Sequence, residues 1–189
     1  MTELEKQLIS ITKDWAPYIH PIFEAVDPFL ENYYIGAGVI TQSVWNYLHD
    51  YPPSFGIGDA DIIYFDKKGT LDDEQGLEER LNEHLEDLPF TIDVTNEALV
   101  HFWYEEKFGK SIIPYSSAEA AIDTWPTTAS AVGIQREEGR EFSIYAPFGL
   151  EDMFEMIVRP NKRLITEDVY RKKADKWKAR WPKLTIIPW

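Results

Sequence analysis

At 189 residues, 44% of them hydrophobic, the chain is long enough to bury the core of one ordinary domain, which excludes intrinsic disorder. The absence of cysteine excludes disulfides, thiolate catalysis and Cys-ligated zinc, and suits the cytoplasm. The net charge of −14 is divided unevenly, with 9 basic and 30 acidic side chains in residues 1–158 against 10 and 3 in residues 159–189, so only the tail could grip a polyanion.

Leu4, Leu8, Ile11 and Trp15 recur at helical spacing before Pro17, and a second short helix is expected over Pro21–Leu30. Met1-Thr2-Glu3-Leu4-Glu5-Lys6 lacks the basic and apolar regions of a signal peptide, and no apolar run reaches the roughly 18 residues of a membrane span. Tyr33-Tyr34-Ile35 reads as a strand running into Gly36-Ala37-Gly38, and Thr41–His49 as a helix broken at Tyr51-Pro52-Pro53. A strand over 61–65, a turn at Lys67-Lys68-Gly69 and an acidic helix over Asp73–Glu86 follow, the helix striped by Leu77, Leu81, Leu85 and Leu88. Phe90–Val94 alternates like a strand, and Asn96 is expected to cap a helix carrying Leu99, Phe102 and Trp103. Short helices near Ser117–Thr124 and Gly149–Phe154 flank strands at Ala131–Gln135 and Phe142–Ala146. Thr166 is placed to cap a last helix over Glu167–Trp181, which Pro182 ends. The mixture predicts an α+β (mixed α/β) fold with a single central mixed sheet flanked by helices, in one domain. Its parts are N-terminal helices over 1–32, a core over 33–160 and a basic C-terminal helix within 161–189.

The chemistry concentrates on carboxylates. Asp59 and Asp61 stand at i and i+2 beside the most apolar strand, so they share a face with Cα atoms about 6.6 Å apart. Such a pair can span two hard cations roughly 3.5–4 Å apart. Asp93 is mid-strand, where aspartate is disfavoured, and would join the pair if its strand lies alongside. Oxygen-only ligands suit Mg2+ or Mn2+ better than zinc. Gly36 and Gly38 lie between strand and helix, where a phosphate could approach a helix N-terminus with Thr41 and Ser43 adding hydroxyls. A glycine turn that merely packs helix on sheet is the ordinary alternative. No two of His20, His49, His84 and His101 have metal-ligand spacing, and His49 and His101 read as helix-end packing residues. Ile62–Leu71 imitates the opening of a haloacid-dehalogenase-type phosphatase, but Lys68 stands where the acid/base aspartate belongs, leaving a strand and a turn. Tyr170, Ala174, Trp177 and Trp181 form a stripe read as core docking, with base stacking the minor alternative, and the basic tail is expected to neutralise the acidic body.

The order of glycine turn, helix, Asp-x-Asp strand and third carboxylate strand resembles the DNA polymerase β nucleotidyltransferase superfamily. The resemblance is closer to a bacterial family of nucleotidyltransferase-like proteins whose fold is similar to the head domain of CCA-adding enzymes. The resemblance rests on Gly36–Gly38, Val44–His49, Asp59–Asp66, Asp93–His101, Trp125–Ala129 and Ala146–Asp152, across residues 35–160. It implies that Asp59, Asp61 and Asp93 hold Mg2+ or Mn2+, that Gly36 and Gly38 approach an NTP, and that a nucleoside monophosphate passes to a hydroxyl acceptor with release of pyrophosphate. Asn96 and His101 would support the site. Ala37 separates the two glycines, and Asn96-Glu97-Ala98 replaces the family's Asn-Gln-Ala. The neck, body and tail domains that read tRNA have no counterpart, so the resemblance does not carry tRNA as substrate. A non-catalytic nucleotide- or metal-binding regulatory module of the same fold, or an RNA-binding adaptor acting through the last helix, are the alternatives. The acceptor remains open as small molecule, protein or RNA.

Overall fold

The computed structural model describes residues 1–137 and 140–189. Helix α1 (Glu3–Ser10) opens with a capping box in which Thr2 Oγ1 accepts the Glu5 N–H at 3.2 Å and Glu5 accepts the Thr2 N–H at 2.6 Å. It continues as a π-helical turn over Ile11–Trp15. α2 spans Ile19–Val26, ahead of the expected Pro21–Leu30. Pro21 sits in its first turn, where a missing N–H costs nothing because that donor has no intrahelical partner. Then come β1 (Tyr33–Gly36), α3 (Ala37–His49), β2 (Asp59–Tyr64), α4 (Leu71–His84), β3 (Thr91–Asn96) and α5 (Val100–Phe108). The remaining elements are α6 (Ala118–Ile122), β4 (Gly133–Glu137), β5 (Arg140–Tyr145), α7 (Glu151–Phe154), β6 (Ile157–Val158), α8 (Glu167–Arg180) and β7 (Thr185–Ile186).

The expected mixed sheet forms in the order β3-β2-β1-β4-β5. Strands β2 and β3 pair in parallel, with α4 as their crossover, and the other pairs are antiparallel. β6 and β7 make a separate parallel pair that the sequence does not predict, because two-residue strands carry no periodicity. No helix among the described residues is long and apolar enough to cross a membrane.

Strand alternation gives the sheet two unlike faces. Ile35, Ala60, Ile62, Ile92 and Val94 point to the main core, with Phe23, Val39 and Val44. On the other face, Tyr34 and Ile63 join Ala118, Ile122 and Ala131 in a small second cluster. Asp59 and Asp61 have the same parity as Ile63 and so belong to this thinly covered face.

β3 is the sheet edge, and α4 closes it with side chains. Asn82 Nδ2 donates to the Ile92 carbonyl at 2.8 Å while its Oδ1 accepts the Ile92 N–H at 2.9 Å. Glu78 accepts the Val94 N–H at 2.9 Å and Glu74 the Asn96 N–H at 2.6 Å. Three residues at i, i+4 and i+8 thus supply what a sixth strand would, leaving the edge no template for another chain.

The C-terminal helix docks as its stripe predicts. Tyr170, Ala174, Trp177 and Trp181 are buried, and Trp45 meets Trp177 and Trp181 at ring centroid distances of 5.1 and 5.5 Å. Thr166 stands at the N-cap of α8 but makes no capping bond. Asn96 is the last residue of β3 rather than a cap, and α5 starts later, after Leu99. The Asn96 side chain instead clamps the turn after β2, donating to the Asp66 carbonyl at 2.7 Å and accepting the Asp66 N–H at 2.9 Å. That turn, with Asp66 Oδ1 accepting the Lys68 N–H at 2.8 Å, is the plain strand-and-turn expected there.

Candidate functional site

The site is built where β1 runs into α3. Gly36 is the extended N-cap of α3, Ala37 takes a left-handed φ of +48°, and the helix begins four residues before the expected Thr41. A Cβ on Gly36 would lie 2.5 Å from the Trp125 ring, so glycine is needed there to let the strand pass under the indole. A side chain on Gly38 would meet Gln42 at 2.8 Å and stand 3.9 Å from Asp59 Oδ1. The Gly38 N–H faces the Asp61 carboxylate and favours its charged form, so a donor at the helix start is turned toward the neighbouring strand.

The register sets the carboxylates. Gly36 pairs with Asp61 across β1 and β2, and Asp61 pairs with Asp93 across β2 and β3. Asp59 is exposed and Asp61 half-buried. The Asp61 carboxyl is pushed up to about 7 by burial, then by the Asp59 charge, against the pull of Lys173. Asp93 is the register partner of Asp61, yet it lines a neighbouring depression with Glu74, Glu78 and Lys107. Its carboxyl is raised by burial and by the charge and hydrogen bond of Glu78. The two depressions adjoin at Thr95 and Trp103. Among the described residues, no group of three or more His, Asp or Glu side chains is gathered closely enough to hold a metal ion. The donor chemistry at Asp59 and Asp61 fits a hard divalent cation: two oxygen-only ligands on one strand face, close enough for the Asp59 charge to raise the Asp61 carboxyl. Asp93 would have to leave Glu78 to join them.

Other predicted residues fall elsewhere. The Thr41 hydroxyl is fully buried and donates to the Ala129 carbonyl at 3.0 Å. Ser43, also fully buried, bonds the Val39 carbonyl and the Tyr18 hydroxyl. Both hydroxyls tie α3 into the core, as their helical position below the first turn requires. Asn96 is fully buried on the core face. His49 ends α3 as expected and fixes the chain before β7, with Nδ1 against the Trp45 carbonyl at 2.8 Å and Nε2 accepting the Lys183 N–H at 3.1 Å. His101 lies at the N-terminal end of α5, its ring tilted against Phe102 with centroids 3.9 Å apart and its Nδ1 unpaired.

Two residues that the sequence reading passed over complete the site. Glu97 is 5% exposed, follows Asp93 at the same strand parity and lines a cavity of about 210 Å³ with Asp61. Burial, then the charges of Asp61 and Glu74, push its carboxyl up to about 8. Lys173 of α8 lines the same cavity. Burial lowers its pKa, while Asp61 and Asp59 oppose that change. Lys173 is half-buried and flanks the stripe of Tyr170, Ala174 and Trp177, which turns it toward the sheet.

Asp61 and Glu97 keep protons in the folded chain where an unfolded carboxyl would have lost them. Their contribution to stability is therefore present at low pH and lost as pH rises through about 7 and then about 8. In chelator, the melting temperature should fall from about pH 5 to about pH 8 by on the order of 10 °C and level off above that, and a Glu97→Gln, Asp61→Asn double variant should flatten the slope. An unchanged slope in that variant would place the titration elsewhere.

The fold and its strand-edge carboxylates define a nucleotidyltransferase-like protein. A family model described as Nucleotidyltransferase matches residues 25–186, and the chain belongs to that family. A solved structure described as "The NMR structure of the protein reveals a CCA-adding enzyme head domain" superposes with a TM-score of 0.80 at 24% identity. The match covers 97% of this chain and 96% of that one, and it carries the fold. No curated protein matches the chain.

Proposed function

We propose that the chain transfers a nucleoside monophosphate from an NTP to a hydroxyl acceptor and releases pyrophosphate. The observation that carries this reading is the placement of Asp59 and Asp61 on one face of β2, beneath the N-terminus of α3, with Asp93 in register next to Asp61. Nucleotidyltransferases generally use divalent metals, and Asp59 and Asp61 would hold Mg2+ or Mn2+. Such an ion, when bound, acts as a Lewis acid that lowers the acceptor hydroxyl's pKa and offsets charge on the leaving pyrophosphate.

The chain's own residues then have separable tasks. Gly38 lets phosphate oxygens approach the start of α3 beside Asp59, where a helix N-terminus favours anions, while Gly36 makes room for the Trp125 ring. The acceptor oxygen bonds to the α-phosphorus as the bond to the oxygen bridging the β-phosphorus breaks, with the electron pair leaving on pyrophosphate. Asp93, whose carboxyl is raised by burial and by Glu78, accepts the acceptor's proton directly or through water. Trp125 and Trp103 exclude water around Asp61 and Glu97.

The hydrogen bond between Asp93 and Glu78 favours a second reading, a nucleotide-binding module without turnover. The assay is release of pyrophosphate from each NTP with Mg2+ or Mn2+, with generic hydroxyl acceptors and water supplied, alongside calorimetric NTP binding. Transfer of α-label with pyrophosphate release is expected. Binding without release establishes the second reading, and neither binding nor release defeats both.

A further inference from the structure

The cavity holding Asp61, Glu97 and Lys173 does not end at Lys173. Tyr104, Pro126 and Lys173 also line a second cavity of about 380 Å³, so the two adjoin along a shared wall. The second cavity is mainly apolar, walled further by Phe108, Ile165 and Val169, and its volume is that of a small-molecule site. Phe108 is 47% and Val169 37% exposed at its rim, large apolar side chains left uncovered. Lys173, at the junction, has no hydrogen bond and no ion pair within 4.0 Å among the described residues; the Trp177 ring centroid lies 5.0 Å from its Nζ. A half-buried ammonium beside carboxylates it does not touch leaves room for a ligand between them.

We propose that the apolar cavity seats the base of the bound NTP and that Lys173 meets its phosphates at the cavity junction. This rests on the nucleotidyltransferase reading above. The order of surfaces, from apolar wall to ammonium to acidic edge, follows the order of chemistry along an NTP: flat apolar base, polyanion, cation-requiring α-phosphorus. Tyr104 and Phe108 offer aromatic faces for stacking, which any base can use. Thr124 Oγ1 already donates to the Ala121 carbonyl and pairs with the Tyr115 hydroxyl, which leaves Lys110, Thr166 and the Tyr104 hydroxyl as the few polar groups of a mainly apolar lining. Selection is therefore by contact area. Purine triphosphates bind more tightly than pyrimidine triphosphates by roughly tenfold or less, within the range an apolar pocket can discriminate.

The test is calorimetric titration of the full chain, with Mg2+, against ATP, GTP, CTP, UTP and inorganic triphosphate. Val169→Gln and, separately, Phe108→Ala should weaken ATP and GTP by about five- to tenfold and leave inorganic triphosphate unchanged. Lys173→Met should weaken all five by at least about tenfold. Circular dichroism melting checks that each variant folds, and the exposed position of Phe108 keeps a second rim variant available if Val169→Gln does not fold. Wild-type affinity for every NTP with no loss in either rim variant overturns the base seat. NTP affinity indifferent to Lys173→Met overturns the junction role. A wild-type protein that binds neither NTP nor triphosphate fails differently, by removing the nucleotidyltransferase reading itself.

Discussion

Asp61→Asn should lower nucleotidyl transfer by on the order of 10²–10³-fold while the metal-free protein melts at or above the wild-type temperature. The two effects have one cause. Asp61 sits where burial and the Asp59 and Asp93 charges all disfavour its ionised form, and only Lys173 and the Gly38 N–H offset them. Asparagine keeps the acceptor for the Gly38 N–H and removes the charge, so the folded state loses a repulsion and keeps its geometry. An acceptor carboxylate built for a cation is a strained residue without one, the expected trade between activity and stability. The measurement is initial transfer rate beside a thermal melt in chelator. Activity lost together with several degrees of melting temperature would mean that Asp61 is a structural residue, and the cation-site reading of β2 would fail with it. Asp59→Asn makes a useful companion. Asp59 is exposed, so its removal should cost activity with little change in melting temperature.

How far the sequence reveals this site depends on which interactions are local. The Asp59–Asp61 pair is legible because a two-residue strand period is local, and β2 begins two residues earlier than predicted, which puts both aspartates inside it. The pairing of Asp61 with Asp93 also follows once β2 and β3 are neighbours, a frequent outcome for consecutive strands joined by a helix. The rotation of Asp93 toward Glu78 is not legible. It depends on α4 lying along the β3 edge, which brings Glu74, Glu78 and Asn82 to the strand by tertiary packing. The start of α3 is missed for a related reason. Gly36 and Gly38 read as a break before a helix, but Asp61 from the next strand faces the Gly38 N–H, a contact no local motif announces. Thr41 and Ser43 lie near those glycines in the sequence, which suggests a place at the phosphate. Once the helix starts at Ala37, they fall a turn deeper and point into packing. Glu97 was hidden by reading Asn96 as a helix cap, because continuing β3 to Asn96 is what gives Glu97 the strand parity of Asp93. Lys173 is more than a hundred residues from Asp61 in the chain, and only the docking of α8 joins them.

Trp181→Ala should therefore destabilise the fold by about 3–5 kcal/mol and disturb the site from a distance. Trp181 is fully buried, and its indole N–H donates to Asn46 Oδ1 at 2.7 Å. Asn46 in turn donates to the Pro53 and Phe55 carbonyls, each at 2.8 Å, so one ring anchors α8, α3 and the loop before β2. Alanine leaves a cavity beside Trp45 and strands the Asn46 acceptor, and the two losses add. At roughly 2–4 °C per kcal/mol for a chain of this size, the melting temperature should fall by on the order of 10 °C. Lys176→Ala, exposed on the same helix, should change stability by no more than about 0.5 kcal/mol. Because α8 carries Lys173, the Trp181→Ala protein should also bind inorganic triphosphate with Mg2+ less tightly, even at temperatures where it is fully folded. A destabilised variant that keeps wild-type triphosphate affinity at low temperature would show that Trp181 does not set where the Lys173 ammonium sits. The basic tail would then be coupled to the acidic strand edge through Tyr170 and Trp177, and the same pair of measurements on Trp177→Ala would locate that coupling.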